Sequence, residues 1–341
     1  MGIKDYLKYL NQEYPSEKSR NYDYVYLDCN YLCHYLIYKC KSDTDFYSKI
    51  FDYWEFLAST ISIKKELFLI FDGEYEKKND ELSNPKYQTI LLRDKSKQKS
   101  NEYDKQSIGP GSKILKTFRE FLLDVIERYK KINRTNFKII TNLDDEVGEA
   151  DIKILNIIFN STQNNICICS KDSDMILIAQ SLSIKKSINI DILSNFRPIK
   201  FISVDKFNSY GFDYVLIILL LGNDYLPKIS NVSYQSIINS YDKYIKFNKP
   251  IILNNEINRN NLINYISYII GSSEKKIKFK LSNIDLDRFD IYFNNIQWCL
   301  GHYKVIEGKN NFIQEISNKN DNIKLKNVIN IYNFINYTYD N

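Results

Sequence analysis

Apolar residues in this chain fall into short unbroken runs separated by longer amphipathic stretches. YVYLD (24–28), LFLIFD (67–72), FKIIT (137–141) and ICICS (166–170) are rich in β-branched and aromatic residues and too short for helices. INIDIL (188–193) and PIKFISV (198–204) repeat the pattern more weakly. Between these runs, FYSKIFDYWEFLAST (46–60) and SKILKTFREFLLDVIERY (112–129) place their apolar residues at helical spacing. Strands that alternate with helices predict an α/β fold with a mostly parallel central sheet flanked by helices. The unbroken apolar strands suit a sheet covered on both faces.

Residues 74–107 interrupt this alternation with a charged, Lys-rich segment. Two readings stand: a solvated surface loop, or a basic helical segment over an active site. After residue 230 the chain is Asn-rich and mostly helical in pattern. The expected organisation is an α/β core over 1–230, with the basic segment 74–107 within it, and a mainly helical subdomain over 231–341.

Composition narrows the partners only a little. With 341 residues, 44% of them hydrophobic, the chain can bury a large core. A net charge of +5 permits nucleic-acid binding without requiring it. The excess of Asn, Ile, Lys and Tyr matches AT-rich codons, a property of the genome and not of the function. None of the six cysteines forms a C-x-x-C pair, which favours reduced core thiols. A zinc site on Cys29, Cys33 and His34 is the alternative, although it lacks a second ligand pair. MGIKDYLKYL has no signal-peptide core, and the apolar run from Tyr214 to Gly222 is far short of a membrane span. A soluble, cytoplasmic protein without a membrane partner is expected.

The acidic residues carry the candidate chemistry because of where they fall. Asp28 ends the first strand and Asp72 the second. Glu149 and Asp151 open the helix after the third, Asp172 and Asp174 follow the fourth, and Asp224 closes the apolar stretch FDYVLIILLLGND. In an open α/β sheet the carboxyl ends of parallel strands share one edge, where ligands bind. Carboxylates gathered there need cations to stay ionised. Oxygen-only ligands prefer Mg²⁺ or Mn²⁺. Two such ions roughly 4 Å apart would suit phosphodiester cleavage. For any single Asp, a helix cap or turn is the plainer explanation; acidic residues at five separate strand ends are harder to explain so.

These residues stand in segments that resemble the 5′→3′ exoribonucleases of the Xrn type, within the flap-endonuclease-like superfamily. MGIKDYLKYLNQEYPS is similar to that family's N-terminus. YLDCNYLCH (26–34) resembles its first metal-binding strand, and FDG (71–73) carries its second Asp. SIGPGSKI (107–114), GEADIKI (148–154), SKDSDMILI (170–178) and LLGNDYLPKI (220–229) resemble further motifs, in order. FNNIQWCLGHYKV (293–305) resembles a segment of the exoribonucleases that flap endonucleases lack. ISNVSYQSIINSYDKY (229–244) could instead echo the flap enzymes' helix–two-turn–helix, without its Gly-x-Gly hairpin. Asp151 stands where the family usually has Glu. The chain ends soon after Trp298, without the family's aromatic that sandwiches the terminal base, so reduced processivity is expected.

The resemblance implies a PIN/flap-endonuclease-like nuclease core holding two Mg²⁺ or Mn²⁺ ions on Asp28, Asp72, Glu149, Asp151, Asp172, Asp174 and Asp224. It implies 5′→3′ degradation of single-stranded RNA bearing a 5′-monophosphate, with DNA as a further substrate to weigh. In the family a helix after the second Asp holds the 5′-phosphate. The comparable segment here is KYQTILLRDKSKQK (86–99), where Lys86 and Arg93 lie two helical turns apart. The second of the family's adjacent arginines falls on Asp94. His34, six residues after Asp28, matches a His that stacks on the first base. Trp298 and Tyr303 read as core. The rival readings are a structure-specific flap endonuclease acting on DNA and an inactive RNA-binding scaffold.

Overall fold

The computed structural model describes residues 3, 6–13, 20–38, 40–73, 108–109, 111–141, 148–196, 199–223, 226, 229, 232–271 and 283–306. Its centre is a sheet of six strands: β1 (Arg20–Asp28), β2 (Ile61–Ile70), β3 (Lys138–Ile140), β4 (Ile166–Cys169), β5 (Ile190–Phe196) and β6 (Ile199–Ser203). They lie in the order β3-β2-β1-β4-β5-β6, with every neighbouring pair parallel except the antiparallel β5–β6. All six predicted strands are present. β1 and β2 begin earlier than their apolar runs, since Arg20 already pairs with Ile61. Backbone pairing continues there through residues that are mostly polar, among them Asn21, Asp23, Ser62, Lys64, Lys65 and Glu66, so hydrophobicity could not mark those strand starts.

The first helix of the chain is α1 (Tyr6–Glu13). Both faces of the sheet are buried. On one face, Val25, Leu27, Leu67, Leu69, Cys167 and Cys169 pack in a single cluster with α2 (Cys29–Leu36), α3 (Asp43–Thr60) and α4 (Lys113–Asn133). Phe46 and Phe71 meet Phe118, and Trp54 meets Tyr129 edge-on at 5.8 Å. On the other face, Tyr26 stacks on Phe68 at 4.4 Å. α5 (Ala150–Asn160) packs there against β1 and β2, and α6 (Ser173–Lys186) packs against α5. Every residue of β4 is buried, as a two-sided sheet requires. All six cysteines are free and buried. Cys29 and Cys33 lie in the core cluster, and no group of three His, Cys, Asp or Glu able to hold a metal occurs among the described residues, so the alternative zinc site on Cys29, Cys33 and His34 does not form there.

The chain divides into two units. The first holds the sheet, with described residues from Leu10 to Lys206; the second holds Ile3, Tyr6–Tyr9 and the described residues from Phe207 onward. The expected core of 1–230 differs from this division by the segment 207–230 and by Ile3 and Tyr6–Tyr9, which fall in the second unit. The second unit contains α7 (Phe212–Leu219), α8 (Tyr234–Tyr244), α9 (Arg259–Gly271) and α10 (Asn283–His302). It also contains a hairpin, β7 (Ile252–Leu253) with β8 (Glu256–Ile257). Asn254 and Asn255 turn that hairpin at positive φ of 51° and 60°, which Asn tolerates better than most residues. In this unit the buried Asp213 accepts hydrogen bonds from the Tyr241 hydroxyl and from the amides of Ile251 and Ile252. Tyr303 is buried and accepts from Asn223 Nδ2 at 3.1 Å, while the half-buried Trp298 stacks on His302. No helix among the described residues is long and apolar enough to cross a membrane.

Candidate active site

The chain builds β1, β2 and β3 outward in one direction, then returns to place β4 on the free side of β1. The strand order therefore reverses between β1 and β4, and the carboxyl ends beside such a reversal form a crevice. Register brings the ends level: Asp28 pairs with Ile70, and Leu27 with both Leu69 and Cys169. Asp28, Asp72 and Ser170 therefore follow adjacent strands at one edge, and three helices start there.

Each carboxylate is held at its own strand–helix junction. Asp28 caps α2, its Oδ1 accepting from the Tyr31 amide at 3.0 Å, and its Oδ2 accepts from the Ser170 hydroxyl at 2.9 Å. The same Ser170 oxygen accepts from the Asp172 amide at 3.1 Å. Asp172 in turn caps α6 by accepting from the Asp174 amide. Asn30 grips Asp72 from two sides: its Nδ2 donates to Asp72 Oδ2 at 2.6 Å, and its Oδ1 accepts from the Asp72 amide at 3.0 Å. Asp72 Oδ1 also accepts from the Ala150 amide at 2.7 Å, which joins the end of β2 to the start of α5.

That start is set by Gly148, whose φ of +107° few L residues adopt and whose carbonyl accepts from the Gly73 amide at 2.9 Å. Glu149 sits at the N-cap of α5, where its side chain makes no capping bond. Asp151 follows in the first turn. Beneath the edge, buried Lys153 donates from Nζ to the Phe71 carbonyl at 2.9 Å.

Burial pushes the Asp28 carboxyl up to about 7, and the nearby charges of Asp72 and Asp172 add to the rise against the two hydrogen bonds it accepts. Asp28 therefore senses the carboxylates of two neighbouring strand ends. Asp174 and Glu149 are likewise buried. Among the described residues no three of His, Cys, Asp and Glu stand close enough together to hold a metal ion; the acids line the edge without forming a ready-made cage. Their chemistry nonetheless fits hard divalent cations, because all donors are oxygens and a cation would relieve the repulsion at Asp28. Asp224, Lys86 and Arg93 lie outside the described residues. His34 is half-buried on α2. Sequence reasoning assigned no role to Asn30, Ser170 or Lys153. Asn30 was visible inside YLDCNYLCH, but its grip on Asp72 spans 42 positions of sequence.

The rise at Asp28 has a consequence for the metal-free protein. Its carboxyl ionises near 3.8 when unperturbed and near 7 in the fold. Stability contributed by the retained proton is full below pH 4 and is lost as pH climbs through 7. In chelator, Asp28→Asn should therefore raise the melting temperature at pH 8 by about 5 °C or more, with little change at pH 4. Asn can still accept from Tyr31 and donate to Ser170. Thermal unfolding at both pH values checks this, and equal shifts would contradict it.

The family model for the XRN 5′-3′ exonuclease N-terminus matches residues 1–78 and 74–195. A protein of Acanthamoeba polyphaga mimivirus, provisionally named a 5′-3′ exonuclease, is 27% identical over 183 residues. The matched stretch covers 42% of this chain and 29% of the viral protein, so the chain spans less than a third of that relative's length. Among solved structures, the catalytic core of Rad2 in complex with DNA substrate has a TM-score of 0.43 at 11% identity, covering 92% of this chain and 88% of its own. A bacteriophage T5 flap endonuclease in a pseudo-enzyme-product complex with DNA and metal ions has a TM-score of 0.42 at 14% identity, covering 92% of this chain and all of its own. With its family match extending over more than half of its length, this chain belongs to the XRN 5′-3′ exonuclease family.

Proposed function

We propose that this protein is a 5′→3′ exoribonuclease that degrades 5′-monophosphorylated single-stranded RNA with the help of two Mg²⁺ or Mn²⁺ ions. The observation that carries the proposal is the acidic edge at the β1/β4 strand reversal, in a chain of this family. Asp28, Asp72, Glu149, Asp151, Asp172, Asp174 and Asp224 are the residues that would hold the ions. When bound, divalent ions there supply Lewis-acid activation of water and stabilise the leaving oxygen. The chain's own part is positional: Ser170 fixes Asp28, while Asn30 and the Ala150 amide fix Asp72. His34 lies on the helix that Asp28 caps and offers a ring for the first base. Lys86 and Arg93 are assigned the terminal phosphate on sequence grounds alone.

The test is digestion of 5′-labelled and 3′-labelled single-stranded RNA, linear DNA, circular RNA and a DNA flap, with Mg²⁺ or Mn²⁺. Stepwise loss from the 5′ end of linear RNA with resistance of the circle is expected. Cutting of the circle, or release of a flap in one piece, would replace the proposal with an endonuclease. The Asn30 grip gives a second check. Asn30→Ala should slow cleavage by about tenfold, because Asp72 loses its fixed orientation. It should also cost about 1–3 kcal/mol of stability, because the Asp72 amide loses its acceptor. Single-turnover rates and urea unfolding measure the two effects; a wild-type rate would mean that Asp72 needs no positioning.

A further inference from the structure

Helix α2 has a second face that the carboxylates leave unused. It buries Cys29, Leu32, Cys33 and Leu36, leaves Tyr31 and His34 half-buried, and turns Tyr35 outward. Tyr35 is 47% exposed. Tyr31 and Tyr35, one turn apart, stack with ring centroids 6.2 Å apart at an interplanar angle of 25°. Lys171, half-buried, brings Nζ to 5.0 Å from the Tyr35 ring centroid. Lys171 comes from the β4–α6 junction, between Ser170, which donates to Asp28, and Asp172. The ring pair and the ammonium are thus continuous with the acidic edge through both α2 and this junction.

Tyr35 is a large ring left partly in water, while Tyr31 beside it also packs against the core. Stacked aromatics beside a cation are what unpaired nucleic acid requires: the ring faces accept bases of any sequence, and the ammonium answers the phosphate between them. A single strand presents a flat base and a phosphate together at each step, which suits an exposed ring beside an ammonium. We propose that Tyr31, Tyr35 and Lys171 form a stacking site for unpaired bases of a single strand, distinct from the terminal-base role of His34 and beside the candidate active site. The proposal rests on the nuclease reading above and names how that site holds the strand beyond its cleaved end.

The test measures binding by the full chain in chelator to a fluorescent short oligoribonucleotide, intact or with one abasic residue placed at successive positions, and cleavage of the same strand in Mg²⁺. Tyr35 is exposed, so Tyr35→Leu should keep the fold while removing the ring. It should weaken binding of the intact strand at least about fivefold, and Tyr35→Phe should restore it. The loss should disappear when the abasic residue occupies one particular position, because no base is then present to stack. Lys171→Gln should reduce the slope of log affinity against log salt by roughly 0.7, the value for one lost phosphate contact on a single strand. If wild type binds and cleaves while Tyr35→Leu matches it on every oligonucleotide, the stacking site is overturned and the exonuclease reading stands. If wild type binds without cleaving and Tyr35→Leu weakens binding, the stacking site stands and the exonuclease reading falls. A wild-type chain that binds no single strand overturns both.

Discussion

Asp172→Asn should reduce RNA cleavage in Mg²⁺ by at least about 10²-fold while leaving the fold intact. The two halves of that expectation have separate causes. Asp172 caps α6 by accepting from the Asp174 amide at 3.1 Å, and Asn caps a helix about as well as Asp. The substitution therefore preserves the local hydrogen bond and removes only charge. It also removes one of the charges that raise the Asp28 carboxyl, so metal-free stability should hold or rise. Glu149→Gln should behave in the same way, since the Glu149 side chain makes no capping bond to lose. Cleavage rates at saturating Mg²⁺, paired with melting temperatures in chelator, measure both halves. Wild-type cleavage by Asp172→Asn would dismantle the two-metal assignment. Lost activity with a collapsed melting temperature would mean that Asp172 acts as a cap and nothing more.

A 5′-monophosphate should accelerate degradation by about 10²-fold over a 5′-hydroxyl on otherwise identical RNA. A guanidinium binds a terminal phosphate through paired, charge-assisted hydrogen bonds and an ammonium binds it as a point charge. Each such bond contributes about 1.5–3 kcal/mol, so the loss of one or two accounts for the factor. Arg93 and Lys86, two helical turns apart in sequence, are the pair assigned to it. A triphosphate or cap should be poorly used, because a pocket shaped for one phosphate excludes the larger group. The Lys86→Ala, Arg93→Ala double mutant should lose most of the monophosphate preference and still degrade 5′-hydroxyl RNA at nearly the parental rate. The measurement is initial rate on four RNAs that differ only at the 5′ end. Equal rates on all four would leave segment 86–99 as a solvated basic stretch.

How much of this was readable beforehand varies by element. Strands such as β4 were plain, because a sheet buried on both faces forces Ile166 to Cys169 all to be apolar. The hairpin at Asn254–Asn255 escaped notice, because its strands are two residues each and its turn is written in Asn rather than Gly. The division of the chain at Lys206/Phe207 was also invisible, since the short polar stretch 205–211 there looks like any turn between a strand and a helix.

The sequence by itself determined that acids would follow several strands, and order along the chain alone placed Asp28, Asp72 and Asp172 at strand ends. Local chemistry suffices for that, because strand runs and caps are properties of a few adjacent residues. The tertiary structure decided which acids are neighbours. Strand order set β4 against β1 and put the reversal beside Asp28, and register made the ends level. It also decided how each acid is held, through Asn30 on Asp72 and Ser170 on Asp28, contacts that span 42 and 142 positions. Hydrogen bonds of that range depend on the packing of the whole sheet, and no local pattern of residues encodes them.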